Sequence, residues 1–452
     1  MLLGGVAAIA MCLIGILGYF VVYKKICKGK KTISPFKISV VAVFICYLTV
    51  IAGAVFLSRA WEYDYRVINL QPLSLYREAW FTSTAVAWRN LILNIAAFIP
   101  FGIMLPLLSK KLQRLWKTVG IGFAFTVIIE SVQFITGKGQ ASADDIINNT
   151  FGVLIGYGLI MAVLTIINRT KRNPLKLLGY LAPLLSAVIV FIAIFAVYQA
   201  QEFGNMPSGY YTKQDMNSVE ISCKTELSDD SPLIYVYHVE SLNKKQSRVF
   251  AEQFFKQIGS TISIDRDPVI YDESAYYYAS GGGILTVRYK GKTFSYVDFS
   301  SDAEADKSLN ETQARGLISN YGIDIPAYAK FTNHGDGQYS FDIGVVSADQ
   351  QFAGNLSCKI LKDGTIRDIN NNLLELNFVT ERNIISSQEA FNRIAEGKFR
   401  YGYNAEELWS VEVVSVDLVY RLDSKGFYRP VYYFNSNVNG DTYNIIVCLQ
   451  LY

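Results

Sequence analysis

Six long apolar segments in the first 200 residues constrain the fold of this chain more than any other feature. They cover residues 2–23, 39–57, 91–108, 118–135, 151–167 and 178–198. A run of about 20 apolar residues is long enough for a helix to cross the hydrocarbon core of a bilayer, which is about 30 Å thick. Residues 1–200 are therefore predicted to form a polytopic α-helical membrane domain with six transmembrane helices.

The basic residues lie in alternate loops, which predicts an orientation. The second loop mixes both charges, and the fourth has only Lys138 against Asp144 and Asp145. The first, third and fifth loops contain Lys24, Lys25, Lys28, Lys30, Lys31, Lys37, Lys110, Lys111, Arg114, Lys117, Arg169, Lys171, Arg172 and Lys176. Because loops rich in lysine and arginine stay in the cytoplasm, we expect a multi-pass plasma-membrane protein with both termini outside. Residues 201–452 would then be extracytoplasmic.

The segment 2–23 is interpreted as a retained span and not as a cleaved signal peptide. A signal peptide starts with a positive region and has a shorter apolar core. In this chain the lysines follow the apolar run, and the run is too long.

Composition excludes several classes of function. The net charge of +3 gives no support for nucleic-acid binding. The two histidines, His238 and His334, both follow residue 200, which excludes a histidine-based metal site or a Ser-His-Asp triad in the membrane. The six cysteines match neither a zinc site nor a disulfide framework, although one bridge among Cys223, Cys358 and Cys448 stays open. We expect no cofactor and no resident metal.

Polar residues gather toward the outer ends of the central spans. Residues three or four apart share a helix face, as in the pairs Asn90 and Asn94, Glu130 and Gln133, and Asp145 and Asn149. We expect Asp144, Asp145, Asn148 and Asn149 in the fourth loop, leading into the fifth span. A carboxylate in a span is costly unless it faces protein or water. The cluster as a group therefore predicts an outward-facing polar pocket, with Lys138 and Arg89 as counter-charges, although interhelical hydrogen bonding is the better explanation of any single residue.

Proline and glycine shape the predicted bundle. Pro100 removes a backbone donor and should kink the third span, and Pro106 should help to end it. Gly152 and Gly156 have the spacing of close helix approach. We expect the fifth span to pack tightly against a neighbour.

Three motifs in this region together resemble the VanZ-like family. They read NLILNIAAFIPFGIMLPLL, IIESVQF and DDIINNTFGVLIGY, and cover about residues 85–165. The positions that the resemblance carries over are Asn90, Asn94, Phe98, Pro100, Gly102, Pro106, Glu130, Gln133, Asp144, Asp145, Asn149, Thr150, Gly152, Gly156 and Tyr157. The chain departs from the family at Lys138, where an arginine is frequent, and at Ser142, where an acidic residue is frequent. Lysine keeps the positive charge but lacks the bidentate fork of arginine for a carboxylate or phosphate.

Residues 201–452 read as an α+β domain with antiparallel sheets. Strand patterns alternate with turn pairs such as Lys290-Gly291, Asp363-Gly364 and Asn439-Gly440. Helices are predicted near 246–258, 312–321 and 387–396, so a helix followed by a meander recurs about three times. Two or three repeated modules would fit. The end of the chain loosely resembles YycH/YycI and PepSY-type regulatory modules, which implies a binding role, for example toward another envelope protein.

The favoured hypothesis is a Gram-positive envelope protein that acts at the outer membrane face. The resemblance implies a link to low-level teicoplanin resistance. The pocket would bind membrane-embedded amphiphiles, either a lipid-linked cell-wall precursor or the lipoglycopeptide itself. An alternative is an intramembrane enzyme, with Glu130 as acid or base and Asp144 and Asp145 binding a divalent cation. A third is a sensor that works through residues 201–452.

Overall fold

The computed structural model describes residues 34–54, 68–137, 139–167, 173–209, 211, 213–345, 347–401 and 408–447. The predicted span 2–23, the lysines of the first loop before Lys37, Lys138, and Cys12, Cys27 and Cys448 lie outside these residues. The chain divides into two compact units, Met1–Glu202 and Phe203–Tyr452.

The first unit is a helix bundle. Its helices are α1 (Pro35–Ala52), α2 (Ser74–Thr82), α3 (Ala85–Leu108), α4 (Leu115–Thr136), α5 (Ala143–Ile167) and α6 (Pro174–Ala200), with a 3₁₀ turn at Lys110–Gln113 and the short parallel strands β1 (Ile68–Asn69) and β2 (Ala141–Ser142). Apart from α2, the helices of this described part are long and apolar enough to cross a membrane. The protein is thus a multi-pass membrane protein, with five candidate spans in the described part of the chain.

The helices begin before the apolar segments that predicted them, because polar residues supply their caps. Ser34, Thr84 and Asn173 accept hydrogen bonds from backbone N–H groups in the first turns of α1, α3 and α6. Their side chains satisfy donors that the first turn leaves unpaired. The hydrophobic pattern marks the membrane-embedded length, while the caps mark where each helix starts.

One expectation about the central spans was wrong. Asp144, Asp145, Asn148 and Asn149 are not in a loop, because α5 starts at Ala143 and includes all four. The two carboxylates lie in its first turn, where they favour the helix dipole. Pro100 and Pro106 both lie inside α3, which ends at Leu108.

The centre of the bundle is the crossing of α3 and α5. A Cβ atom on Gly152 would lie 2.1 Å from the carbonyl oxygen of Ile95, and one on Gly156 would lie 2.1 Å from that of Ile99. On the opposite helix, Gly102 faces the carbonyl of Val153 equally closely. Glycine is therefore required at these three positions, as the spacing of Gly152 and Gly156 predicted.

The second unit contains two sheets and three helices in its described part. The helices are α7 (Lys244–Gln257), α8 (Glu311–Ser319) and α9 (Ser387–Ala395). The strands are β3 (Glu220–Cys223), β4 (Leu233–His238), β5 (Val269–Ile270), β6 (Ser274–Tyr278), β7 (Ile284–Arg288), β8 (Phe294–Val297), β9 (Lys330–Asn333), β10 (Gln338–Ile343), β11 (Phe352–Ile360), β12 (Ile366–Asn371), β13 (Leu374–Glu375), β14 (Asn377–Asn383), β15 (Ser410–Leu422), β16 (Phe427–Val438) and β17 (Asp441–Val447).

The larger sheet has the order β5-β6-β7-β8-β12-β11-β10-β9, with β13 beside β11, and the smaller has the order β14-β4-β16-β15-β3, with β17 beside β16. The strands pair antiparallel, except that β3 and β15 are parallel. Side chains of α7 and α8, such as Phe255 and Ile318, enter the core of the larger sheet. Ile394 of α9 enters that of the smaller one. The predicted α+β architecture with antiparallel sheets is confirmed.

Candidate functional site: a polar cluster at one end of the helix bundle

Seven polar residues meet where the start of α3, the end of α4 and the start of α5 come together. We call them the polar cluster: Asn94, Glu130, Ser142, Asp144, Asp145, Asn148 and Asn149. The basic 3₁₀ turn Lys110–Gln113 connects the other ends of α3 and α4. The cluster and the basic turn therefore lie at opposite ends of the bundle.

Asp144 connects α5 to the short helix α2. Its carboxylate accepts hydrogen bonds from the backbone N–H of Leu73 (2.5 Å), the hydroxyl of Ser74 (2.9 Å) and the backbone N–H of Leu75 (2.7 Å). Leu73, the residue before α2, has φ 63° and offers no capping side chain of its own. Asp144 thus caps α2 from a distant part of the chain, which explains how a fully buried carboxylate is tolerated.

The neighbouring carboxylates also accept hydrogen bonds. Asn94 donates from Nδ2 to Oδ1 of Asp145 at 2.6 Å, which joins α3 to α5. Glu130, which is 5% exposed, accepts from the backbone N–H of Ser142 at 3.1 Å. Ser142 in turn accepts from the backbone N–H of Asp144 and so caps α5. Four of the predicted site residues therefore form two hydrogen-bonded groups: Asn94 with Asp145, and Glu130 with Asp144 through Ser142.

Two asparagines extend the cluster along α5. Asn149 donates to the hydroxyl of Thr126 on α4 at 2.8 Å. Asn148 accepts from the hydroxyl of Tyr76 on α2 at 2.5 Å. The Nδ2 group of Asn148 is buried and has no hydrogen-bond partner among the described residues. Burying such a donor unpaired is costly. A hydrogen-bond acceptor of a ligand would therefore be stabilised beside Asn148.

The remaining predicted site residues differ in position. Gln133 is buried one turn beyond Glu130 on α4. Asn90 is exposed at the start of α3 and makes no hydrogen bond to the cluster within the described part of the chain. Lys138 lies outside the described residues. The structure therefore brings Asn94, Glu130, Gln133, Asp144, Asp145 and Asn149 to one end of the bundle, and Asn90 makes no hydrogen bond to them among the described residues.

Sequence reasoning missed the contribution of α2 and of Thr126. Helix α2 has nine residues, which is too short for a clear hydrophobic period. Its apolar pair, Leu75 and Ala79, is spaced four apart and was the available signal. Thr126 is buried on α4, one turn before Glu130. A single threonine within an apolar span gives no signal in the sequence that it takes part in a polar site.

The contacts of Asp144 disfavour a role in binding a cation. Both of its oxygens accept hydrogen bonds from α2. In addition, the described residues contain no group of three or more His, Cys, Asp or Glu side chains arranged to hold a metal ion. The carboxylates of the cluster are better placed to receive hydrogen bonds than to coordinate a metal.

A cavity of about 510 Å³ lies beside the cluster end of the bundle, between α2, α3 and α6. Its wall includes Trp80 of α2, Trp88 and Arg89 of α3, and Tyr198 of α6. A second cavity of about 510 Å³ lies between α3, α5 and α6 and is almost entirely apolar. The bundle thus has a polar cluster and an apolar crevice near the same end.

The second unit has a buried ion pair that fixes its first residues. Asp423 lies 3.4 Å from Arg429, and it also accepts from the backbone N–H of Gly204 at 2.7 Å. Arg429 donates to the carbonyl of Gly204 at 2.8 Å. Nearby, burial lowers the pKa of Lys290, which donates to the carbonyl of Asp423. These groups hold the segment near Gly204 on the turn between β15 and β16, and this is a structural role.

The helix bundle matches a known family over most of its described length. Residues 40–166 match the VanZ/LLP1 family model. This part of the chain, which we call the VanZ-like domain, is similar to that family. It starts at about residue 40 and therefore includes α1, whereas the sequence motifs indicated only residues 85–165.

A curated relative agrees with this assignment. Protein VanZ from Enterococcus faecium is 35% identical over 105 residues, which are 22% of this chain and 56% of that protein. The chain therefore spans just over half the length of this relative. The match of 105 residues leaves most of this chain, including most of the second unit, outside it.

Two solved structures resemble parts of the chain weakly. One is an uncharacterized protein from Eubacterium rectale, with a TM-score of 0.26 and 12% identity, covering 52% of this chain and 87% of that one. The other is the YpeB C-terminal domain of Bacillus megaterium, with a TM-score of 0.20 and 13% identity, covering 47% of this chain and 98% of that one. TM-scores at this level do not establish a shared fold.

Proposed function

We propose that this protein acts at the outer face of the plasma membrane of a Gram-positive bacterium. There its VanZ-like domain would bind the polar head of an amphiphile and thereby lower sensitivity to lipoglycopeptides of the teicoplanin type. The amphiphile is a lipid-linked cell-wall precursor or the antibiotic itself. The similarity to Protein VanZ supports the link to resistance.

The observation that carries this proposal is the gathering of Glu130, Asp144 and Asp145 at one end of the bundle. Carboxylates within a membrane bundle are costly and mark functional positions by default; Glu130 and Asp144 are buried, and Asp145 is half-buried. Asp144 has a structural role as a cap of α2, but Glu130 and Asp145 are not needed to end or begin a helix. The basic turn at the opposite end favours the cytoplasmic side, which supports an outer position for the cluster.

The test replaces Glu130→Gln and Asp145→Asn, each of which keeps an acceptor oxygen for the hydrogen bond in the structure. We expect both variants to be present in the membrane at normal levels and to lose protection against teicoplanin, because the negative charge is gone. Minimum inhibitory concentrations in a sensitive host measure this. Glu78→Gln on α2 is the matched control and should protect fully. Full protection by both cluster variants would contradict the proposal.

The second unit is proposed to bind another envelope protein, as its strand-rich, tyrosine-rich character suggests for a binding module. Deleting residues 205–452 separates this role from that of the bundle. We expect the deletion variant to keep protection if the VanZ-like domain acts alone. Loss of protection with normal membrane levels would instead favour the sensor hypothesis.

A further inference from the structure

The crevice between α2, α3 and α6 has the form of a site for an apolar chain with a negatively charged head. The first cavity has an aromatic wall with one cationic residue, Arg89. The second cavity shares Ile92 and Phe195 with the first, so the two adjoin. Each has a volume of about 510 Å³, within the usual range of roughly 300–1,000 Å³ for ligand pockets.

The chemistry of the wall changes along the crevice. Near the start of α3, the rings of Trp80 and Tyr198 meet edge to face at 6.1 Å, and Trp88 lies 5.3 Å from Phe195. Tryptophan and tyrosine favour the boundary between the headgroups and the acyl chains of a bilayer. Farther along, the wall consists of aliphatic side chains of α3, α5 and α6, with Ile99 and Leu184 among them. The crevice is therefore charged and aromatic near the start of α3 and aliphatic farther along that helix.

Helix α6 forms the exposed side of this crevice, since none of its residues, all of which are described, is buried. Its close contact is with α5, where a Cβ atom on Gly158 would lie 2.0 Å from the carbonyl oxygen of Tyr180. Helix α5 approaches α3 equally closely at Gly152 and Gly156. A ligand between α6 and α3 would therefore leave both close crossings of α5 undisturbed.

We propose that this crevice binds an acyl chain whose head group is anionic. Arg89 would donate charge-assisted hydrogen bonds to the carboxylate or phosphate, and the chain would run past Ile92 toward Leu184. The inference goes beyond the proposed function, because it gives the crevice a ligand of its own, separate from the amphiphile whose polar head the cluster would bind. A free fatty acid and an anionic phospholipid share this chemistry.

The experiment uses the full chain in nanodiscs of phosphatidylcholine and follows quenching of tryptophan fluorescence by brominated acyl chains. Trp61, Trp116 and Trp409 are replaced with phenylalanine, so that Trp80 and Trp88 report on the crevice. Brominated phosphatidylglycerol, brominated stearate and brominated phosphatidylcholine are compared as probes. We expect at least one of the two anionic probes to quench at about tenfold lower mole fraction than brominated phosphatidylcholine. One charge-assisted hydrogen bond is sufficient for a tenfold difference in affinity.

Two variants test the two parts of the site. Arg89→Gln should abolish the preference for anionic probes, whereas Arg77→Gln, which is exposed on α2 outside the cavity wall, should keep it. Ala187→Phe fills the second cavity and should weaken quenching by every probe, whereas Val163→Phe, on an exposed face of α5, should not. A preference for phosphatidylglycerol alone identifies a phosphate head group, and one for stearate alone a carboxylate.

Equal quenching by all probes, or a preference that survives Arg89→Gln, would overturn the inference. Its failure is distinguishable from failure of the proposed function. Protection against teicoplanin with no anionic preference in the crevice contradicts only the crevice site. An anionic preference that depends on Arg89 in a protein that gives no protection contradicts only the resistance role.

Discussion

At the scale of residues, the hydrogen bonds of Asp144 offset the desolvation cost of a buried carboxylate. Its carboxylate accepts three hydrogen bonds, two of them from the backbone N–H groups at the start of α2. Hydrogen bonds to a charged group contribute about 1.5–3 kcal/mol. In Asp144→Asn the charge is lost, and the start of α2 should open more readily. We expect hydrogen exchange at the amides of Leu73 and Leu75 to accelerate tenfold or more, measured by exchange mass spectrometry.

Glu78→Gln, on the same helix but outside the cap, provides the control for this prediction. Its exchange at the start of α2 should match that of the unchanged protein. Unaltered protection of Leu73 and Leu75 in Asp144→Asn would mean that α2 is held by its apolar contacts alone. The carboxylate would then be available for a ligand.

At the scale of elements, the crossing of α3 and α5 depends on the absence of side chains. A Cβ atom at Gly152 or Gly156 would meet a carbonyl oxygen at 2.1 Å, so Gly152→Ala or Gly156→Ala must push the helices apart. Overpacking of this kind costs about 1–3 kcal/mol. We expect a lower apparent melting temperature for each variant in detergent micelles.

Gly120→Ala is the matched control, because a Cβ atom at Gly120 on α4 would have no neighbour within 4 Å. Alanine favours a helix over glycine by about 1 kcal/mol, so this variant should melt at the same temperature or higher. If Gly152→Ala and Gly120→Ala behaved alike, the close approach of α3 and α5 would be in doubt.

The elements that the sequence predicted well are those with a local signal. Hydrophobic length predicted α3 to α6, and the pair Asn439-Gly440, both with positive φ, predicted the turn between β16 and β17. Helix α2 offered only the weak local signal of Leu75 and Ala79, and its start is capped by Asp144, about 70 residues farther along the chain. The apolar crevice has no local signal, because its wall is formed by side chains of four different helices.

Within the candidate site, too, the sequence indicates what is local to one helix. Helical spacing places Asn94 near one end of α3 and Asp145 near one end of α5. Their direct hydrogen bond depends on how α3 and α5 cross. Thr126 and Tyr76 contact residues of the cluster across helices, and the sequence of a single helix does not predict such contacts.

At the scale of the whole molecule, the charge distribution predicts on which side each end of the bundle lies. The cluster and the basic turn are at opposite ends, and basic segments favour the cytoplasm. Because α5 and α6 each cross the bundle once after the cluster, the second unit would start on the same side as the cluster. The exposed residues Gln140 and Lys110, near the two ends, and Ile264 in the second unit, which is 98% exposed, are suitable positions to label.

Single cysteines at these positions, in a variant with all six native cysteines replaced, test this orientation with a membrane-impermeant maleimide on intact cells. We expect Gln140→Cys and Ile264→Cys to react at once and Lys110→Cys to react only after permeabilisation, because the reagent cannot cross the bilayer. The parent variant without cysteines gives the background. Labelling of Lys110→Cys alone on intact cells would place the polar cluster on the cytoplasmic side, where it could not meet an external lipoglycopeptide.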